Sequence, residues 1–322
     1  MVYRSIQIEK GVPGYATINP NTNTAYICYT SSNFIIVVNL EKGTIDNKIQ
    51  LTCPGNISIN RVTNKVYVST AYGICEIDSV NNQYEMINIG LPHSDGSVDV
   101  NPLTNLLYTT CFGRDILTVI DAATRAIADK IPVGENPKGV AIDSSSNSIY
   151  VANYDTQSVS IIDCYQSNKL VDTIHFKSAG EDWTRRPSFV LVNELSKLLY
   201  VKTHYLSAIG GAWQGEVLYV IDMNTKEEIK SRTLPSNSLI GFAFNHSNNT
   251  IYMMRRGERS ILKFDALANE LLDITTLEQS SIMRRIFGFD FKYFAEVIAV
   301  NTSTNKVYVS DSKNNLLYEI DG

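Results

Sequence analysis

Asn101-Pro-Leu-Thr-Asn-Leu-Leu-Tyr108 is the stretch that decides the fold, because it is not alone. Asn19-Pro-Asn-Thr-Asn-Thr-Ala-Tyr26, Asn60-Arg-Val-Thr-Asn-Lys-Val-Tyr67 and Asn301-Thr-Ser-Thr-Asn-Lys-Val-Tyr308 share its frame. Degenerate copies run from Asp143 to Tyr150, Asn193 to Tyr200 and Asn245 to Tyr252. The tyrosines at 26, 67, 108, 150, 200, 252 and 308 are spaced by 41, 41, 42, 50, 52 and 56 residues. A second landmark follows: Asn39, Asp121, Asp163, Asp265 and Asp321 lie 13 residues after their tyrosine, Asp78 lies 11 after and Asp222 lies 22 after. Self-similarity at a period near 40 residues is the mark of a repeat architecture.

Each unit reads as four short strands. In the fourth, Gly139–Asp143, Ser148–Asn153, Ser158–Asp163 and Lys169–Ile174 are rich in Val, Ile, Tyr and Thr, and Asn, Asp, Ser and Gly punctuate them. The Asn-x-x-Thr-Asn element is turn chemistry, since short polar side chains bond nearby backbone and tolerate left-handed geometry. Repeated four-stranded units of this length predict an all-β, seven-bladed β-propeller of antiparallel blades. After Tyr308 there is room for one more strand, Leu316 to Asp321, so the last blade lacks its outer strand. Ser5-Ile-Gln-Ile-Glu-Lys-Gly11 matches Asp129-Lys-Ile-Pro-Val-Gly134, the outer strand that precedes unit four. Residues 3–10 are therefore expected to complete the last blade, leaving no open edge. On this reading 1–322 is a single propeller domain.

The run from Gly134 to Asp163, with Tyr150-Val-Ala-Asn153 inside it, resembles the YVTN-type β-propeller repeat, and Tyr67-Val-Ser-Thr70 is a second copy. The resemblance spans essentially the whole chain. It implies the propeller fold and carries no activity with it.

Composition bounds the remaining possibilities. Apolar residues make up 44% and charged residues 19% of 322, which is ordinary for a globular chain. Thirty-three acidic against 28 basic residues give a net charge of −5, which argues against general nucleic-acid binding. The longest apolar runs, such as Phe34–Val38, are strand-sized, so no membrane helix is expected. The five cysteines are odd in number and form no CxxC, which points to reduced thiols rather than a disulfide framework or zinc site. The N-terminus carries no signal-peptide h-region, so a cytoplasmic location is expected unless a signal has been removed.

Function is sought where the units depart from their repeat. The second-to-third-strand loops and the blade-to-blade connections share one end of the blades, the top, and the surplus length lies there. Unit five is extended around Thr203–Gln214, and Lys177–Pro187 and Thr275–Lys292 are long connections. These segments hold both tryptophans, Trp183 and Trp213, and the pairs Arg185–Arg186 and Arg284–Arg285; Arg255–Arg256 begins the top loop of unit six. Tyr205 lies in the longest insertion, and Phe112, Arg114 and Tyr154 come from the top loops of units three and four. Guanidinium groups among aromatic rings suit a carboxylate, a phosphate or an acidic protein surface. The top face of blades five to seven is thus expected to bind a small anionic ligand or an acidic partner. The alternative is a cytoplasmic propeller enzyme of lyase or lactonase type, with His93, Asp95 and His204 supplying acid/base groups at the top of the funnel. No metal set and no cofactor motif is legible: GxSxG, HExxH, P-loop and EF-hand patterns are all absent.

Overall fold

The computed structural model describes residues 2–89, 96–165, 168–176, 183–207, 213–234, 239–255, 260–266, 268, 270–276 and 297–322. They form seven four-stranded sheets, each antiparallel, and one short 3-10 turn at Thr30–Ser32. In six sheets the four strands are consecutive in sequence: blades one to six span 15–50, 57–88, 98–132, 137–175, 183–234 and 239–276. The seventh takes three strands from the C-terminus and its fourth from the N-terminus. Val2–Gln7 pairs antiparallel with Leu316–Asp321, with Ser5 opposite Tyr318 and Gln7 opposite Leu316. Ile6 and Ile8 drop into the core with Ala25, Ile27 and Tyr308. Arg4 Nη1 donates to the carbonyls of Leu40 and Glu41, tying the strand to a turn of blade one.

The chain forms two compact units. Met1–Pro54 with Ser238–Gly322 holds blades one, six and seven, and Gly55–Asn237 holds blades two to five.

The repeated residues have defined tasks. All seven anchor tyrosines are buried, none more than 4% exposed. The first Asn of each motif caps its own turn: Asn101 Oδ1 accepts from the backbone of Leu103 and Thr104. Its amide then donates to the fifth motif residue of the next blade. Within Gly55–Asn237 these bonds are Asn60 to Asn105 (2.9 Å) and Asn101 to Asn147 (2.8 Å). Within the other unit they are Asn245 to Asn305 (2.5 Å) and Asn301 to Asn23 (2.7 Å). The accepting residues sit at positive φ, from 50° to 57°, where Asn is tolerated better than most side chains. Between blades four and five the pair is different: Asp143 and Lys197 replace the two asparagines, and Lys197 Nζ lies 2.9 Å from Asp143 Oδ2. The second landmark caps the turn into the fourth strand, as where Asp121 Oδ1 accepts from Ala123 and Asp222 Oδ1 from Asn224.

Candidate functional site

Blade five departs most from its neighbours. Its first three strands, Trp183–Asn193, Leu198–Ser207 and Trp213–Asp222, are 11, 10 and 10 residues long, against 7, 6 and 6 in blade four. The surplus expected as loop around 203–214 and 177–187 is in good part strand. Trp183, Arg185, Arg186, His204, Tyr205 and Trp213 are all ladder residues. Thr203 explains the continuation: it is β-branched, fully buried, and bonds across the ladder to the Val217 carbonyl.

The extended register sets Arg186 opposite His204 and His204 opposite Glu216, one from each of three adjacent strands. Val201 and Val217 belong to the core shared with blade four, so Lys202, His204 and Glu216, alternating with them, project from the other face. Glu216 is 4% exposed. Its Oε1 lies 3.4 Å from Lys202 Nζ and 3.7 Å from His204 Nδ1. Burial, reinforced by the positive charges of Lys202 and Lys138, lowers the His204 imidazole to about 4, so it is neutral at neutral pH.

Tyr154, in the turn between the second and third strands of blade four, reaches this group. Its ring meets His204 edge-on at 5.9 Å and Phe112 of blade three at 6.4 Å. Lys138 places its ammonium 4.5 Å above Tyr154 and 4.9 Å above Phe112, and the Arg186 guanidinium lies 5.3 Å from Tyr154. Both are cation–π distances. Arg186 also pairs with Asp155, which accepts from Asn136 as well. Arg185 stacks at 5.7 Å from Tyr205 and 5.6 Å from Tyr219. Lys202 and Glu216 offset one another. Arg186 is offset in the same way by Asp155.

The structure thus brings together Phe112, Tyr154, Arg186 and His204, with Arg185 and Tyr205 beside them. Arg114 is exposed and makes no contact with them among the described residues. His93, Asp95, Arg256, Arg284 and Arg285 lie outside the described residues, as do the side chains of Trp183, Trp213 and Arg255. Sequence reasoning passed over Lys138, Asp155, Lys202 and Glu216. Lys138 sits in a stretch read as generic repeat, and Glu216 is identified only once the strand register is known. His246 meets the Phe244 ring at 4.4 Å, a packing contact.

A concavity of about 440 Å³ lies at the opposite end of the strands, in blades two and three, and is lined by Lys65, Glu76, Asp78, Tyr84, Glu85 and Arg125. Its charges are already matched: Glu76 pairs with Arg125 at 3.0 Å, and Lys65 with Asp78 at 2.9 Å. That network reads as a clamp between blades two and three.

No protein-family model matches the chain, and no curated protein sequence does. Solved structures do. A chain of the Kuenenia stuttgartiensis hydrazine synthase superposes with a TM-score of 0.75 at 15% identity, covering 98% of this chain and 97% of that one. The β-propeller domain of Myceliophteria thermophila Cps50 (Swd1) superposes at 0.73 with 9% identity, covering 99% and 100%. The fold is a seven-bladed β-propeller. At these identities the likeness speaks for the fold alone. Among the described residues no helix is long and apolar enough to cross a membrane.

Proposed function

We propose that this propeller is a recognition scaffold whose top face binds a small anionic molecule at the Lys138–Tyr154–Arg186 cluster. The observation that carries the reading is the convergence of two cations on one tyrosine ring, with a third cation stacked beside them. Such rings orient cationic heads, so an incoming carboxylate or phosphate meets preset donors, with Arg186 shared between Asp155 and the ligand. An acidic protein surface would use the same groups.

The enzyme alternative has one observation in its favour, the His204–Glu216 contact at 3.7 Å. Against it stands the imidazole itself: a group at about 4 is a weak base at neutral pH, where a general base works best near the operating pH. The binding reading is therefore preferred. Its test is a thermal-shift screen of organic and inorganic anions on the wild type and on Lys138→Ala/Arg186→Ala. Anions that raise the wild-type midpoint and leave the double variant unmoved support the site. Equal shifts in both would place binding elsewhere.

A further inference from the structure

We propose that the anion recognised at this cluster carries hydroxyl groups, a sugar acid or sugar phosphate being the simplest such compound; this rests on the binding function proposed above. Buried polar atoms almost always have a hydrogen-bond partner, and an exception asks for a cause. Among the described residues, two buried polar atoms without one flank His204 on the same face of blade five: Arg186 Nε and Glu216 Oε2. Their chemistry is mixed: the guanidinium N–H can only donate, and the carboxylate oxygen accepts.

A bare anion answers half of this demand. It would accept from Arg186 but would be repelled by Glu216, which is 4% exposed and whose other oxygen already serves Lys202. A ligand with an anionic group and nearby hydroxyls answers both: an oxygen to Arg186, an O–H to Glu216 Oε2. His204 adds to the case, because a neutral imidazole can donate or accept to a hydroxyl.

The experiment is calorimetric titration of the full chain with D-glucuronate, D-glucose 6-phosphate and D-gluconate. Cyclohexanecarboxylate and inorganic phosphate serve as controls with the charge but not the hydroxyls. The inference predicts binding of at least one hydroxylated anion at least tenfold tighter than its control, and at least fivefold weaker binding in Glu216→Gln. The isosteric change keeps the fold, checked by circular dichroism. Arg186→Gln is the second variant and should lose the anion contact whatever the hydroxyl pattern. Equal affinity for hydroxylated and bare anions, with Glu216→Gln unaffected, would overturn the hydroxyl inference and leave anion binding standing. Binding of controls alone would do the same. No binding by any of the five would overturn both.

Discussion

The Asp143–Lys197 pair allows a quantitative test of how neighbouring blades are joined. Everywhere else that the joint is described within a unit, an Asn amide donates to an Asn carbonyl oxygen; here a carboxylate meets an ammonium. Asp143 is fully buried and also accepts from the backbone and hydroxyl groups of Ser145 and Ser146. Burial alone would raise its pKa; the bonds from Ser145, Ser146 and Lys197 outweigh that and hold the carboxyl below its usual range. Breaking a fully buried ion pair costs about 3–5 kcal/mol. Lys197 keeps 35% of its side chain exposed and the serine bonds survive, which reduces the expected cost of either single change to about 1–2 kcal/mol. Asp143→Asn strands a lysine that can turn to water. Lys197→Asn leaves the carboxylate without its cation. The double variant recreates the Asn101–Asn147 geometry, and Asn suits the φ of 55° at 197 better than Lys. It should lie within about 0.5 kcal/mol of wild type, a coupling of about 2 kcal/mol. Urea midpoints of the four proteins measure this. Single losses that simply add in the double variant would show that the two side chains do not act as the blade-to-blade joint.

Other consequences follow from the same structure. Deleting residues 1–10 exposes the edge of Leu316–Asp321 and removes the buried Ile6 and Ile8, at about 1.5–3 kcal/mol each, so the melting temperature should fall by several degrees and light scattering should rise. An unchanged melting temperature would contradict the seam. The His204 imidazole is lowered to about 4 from the usual 6.5 or so, so between those values the unfolded chain binds more protons and stability rises with pH. The contribution is about 3 kcal/mol across that window. Its ring signals in NMR should stay those of a neutral imidazole down to about pH 5, and a midpoint near 6.5 would refute the burial argument.

The fold was legible because each repeated residue answers a local demand that recurs in every blade. The motif Asn caps a turn and reaches the next blade, the fifth residue takes a left-handed backbone, and the tyrosine fills the gap between sheets. Even the borrowed N-terminal strand could be read, since Leu316–Asp321 left a visible shortfall. The site was legible in part. Arg185, Arg186 and His204 stood out as departures from the repeat, while Phe112 and Tyr154 sit at ordinary repeat-loop positions; the five lie near one another. Lys138 did not, because it follows Pro137, which marks a blade entrance just as Pro13, Pro54 and Pro187 do. Glu216 did not, because its place beside His204 is a matter of cross-strand register, and the insertion between them hid the pairing. The same insertion made strand look like loop: Thr203–Ser207 falls outside the repeat frame, yet its alternation continues the ladder.

The central claim is that the cations gathered on Tyr154 form an anion site. A crystal soaked with D-glucuronate tests it most directly. The account predicts ligand density with carboxylate oxygens within hydrogen-bond distance of Arg186 and Lys138. Density confined to other surfaces, with this cluster unchanged, would contradict it.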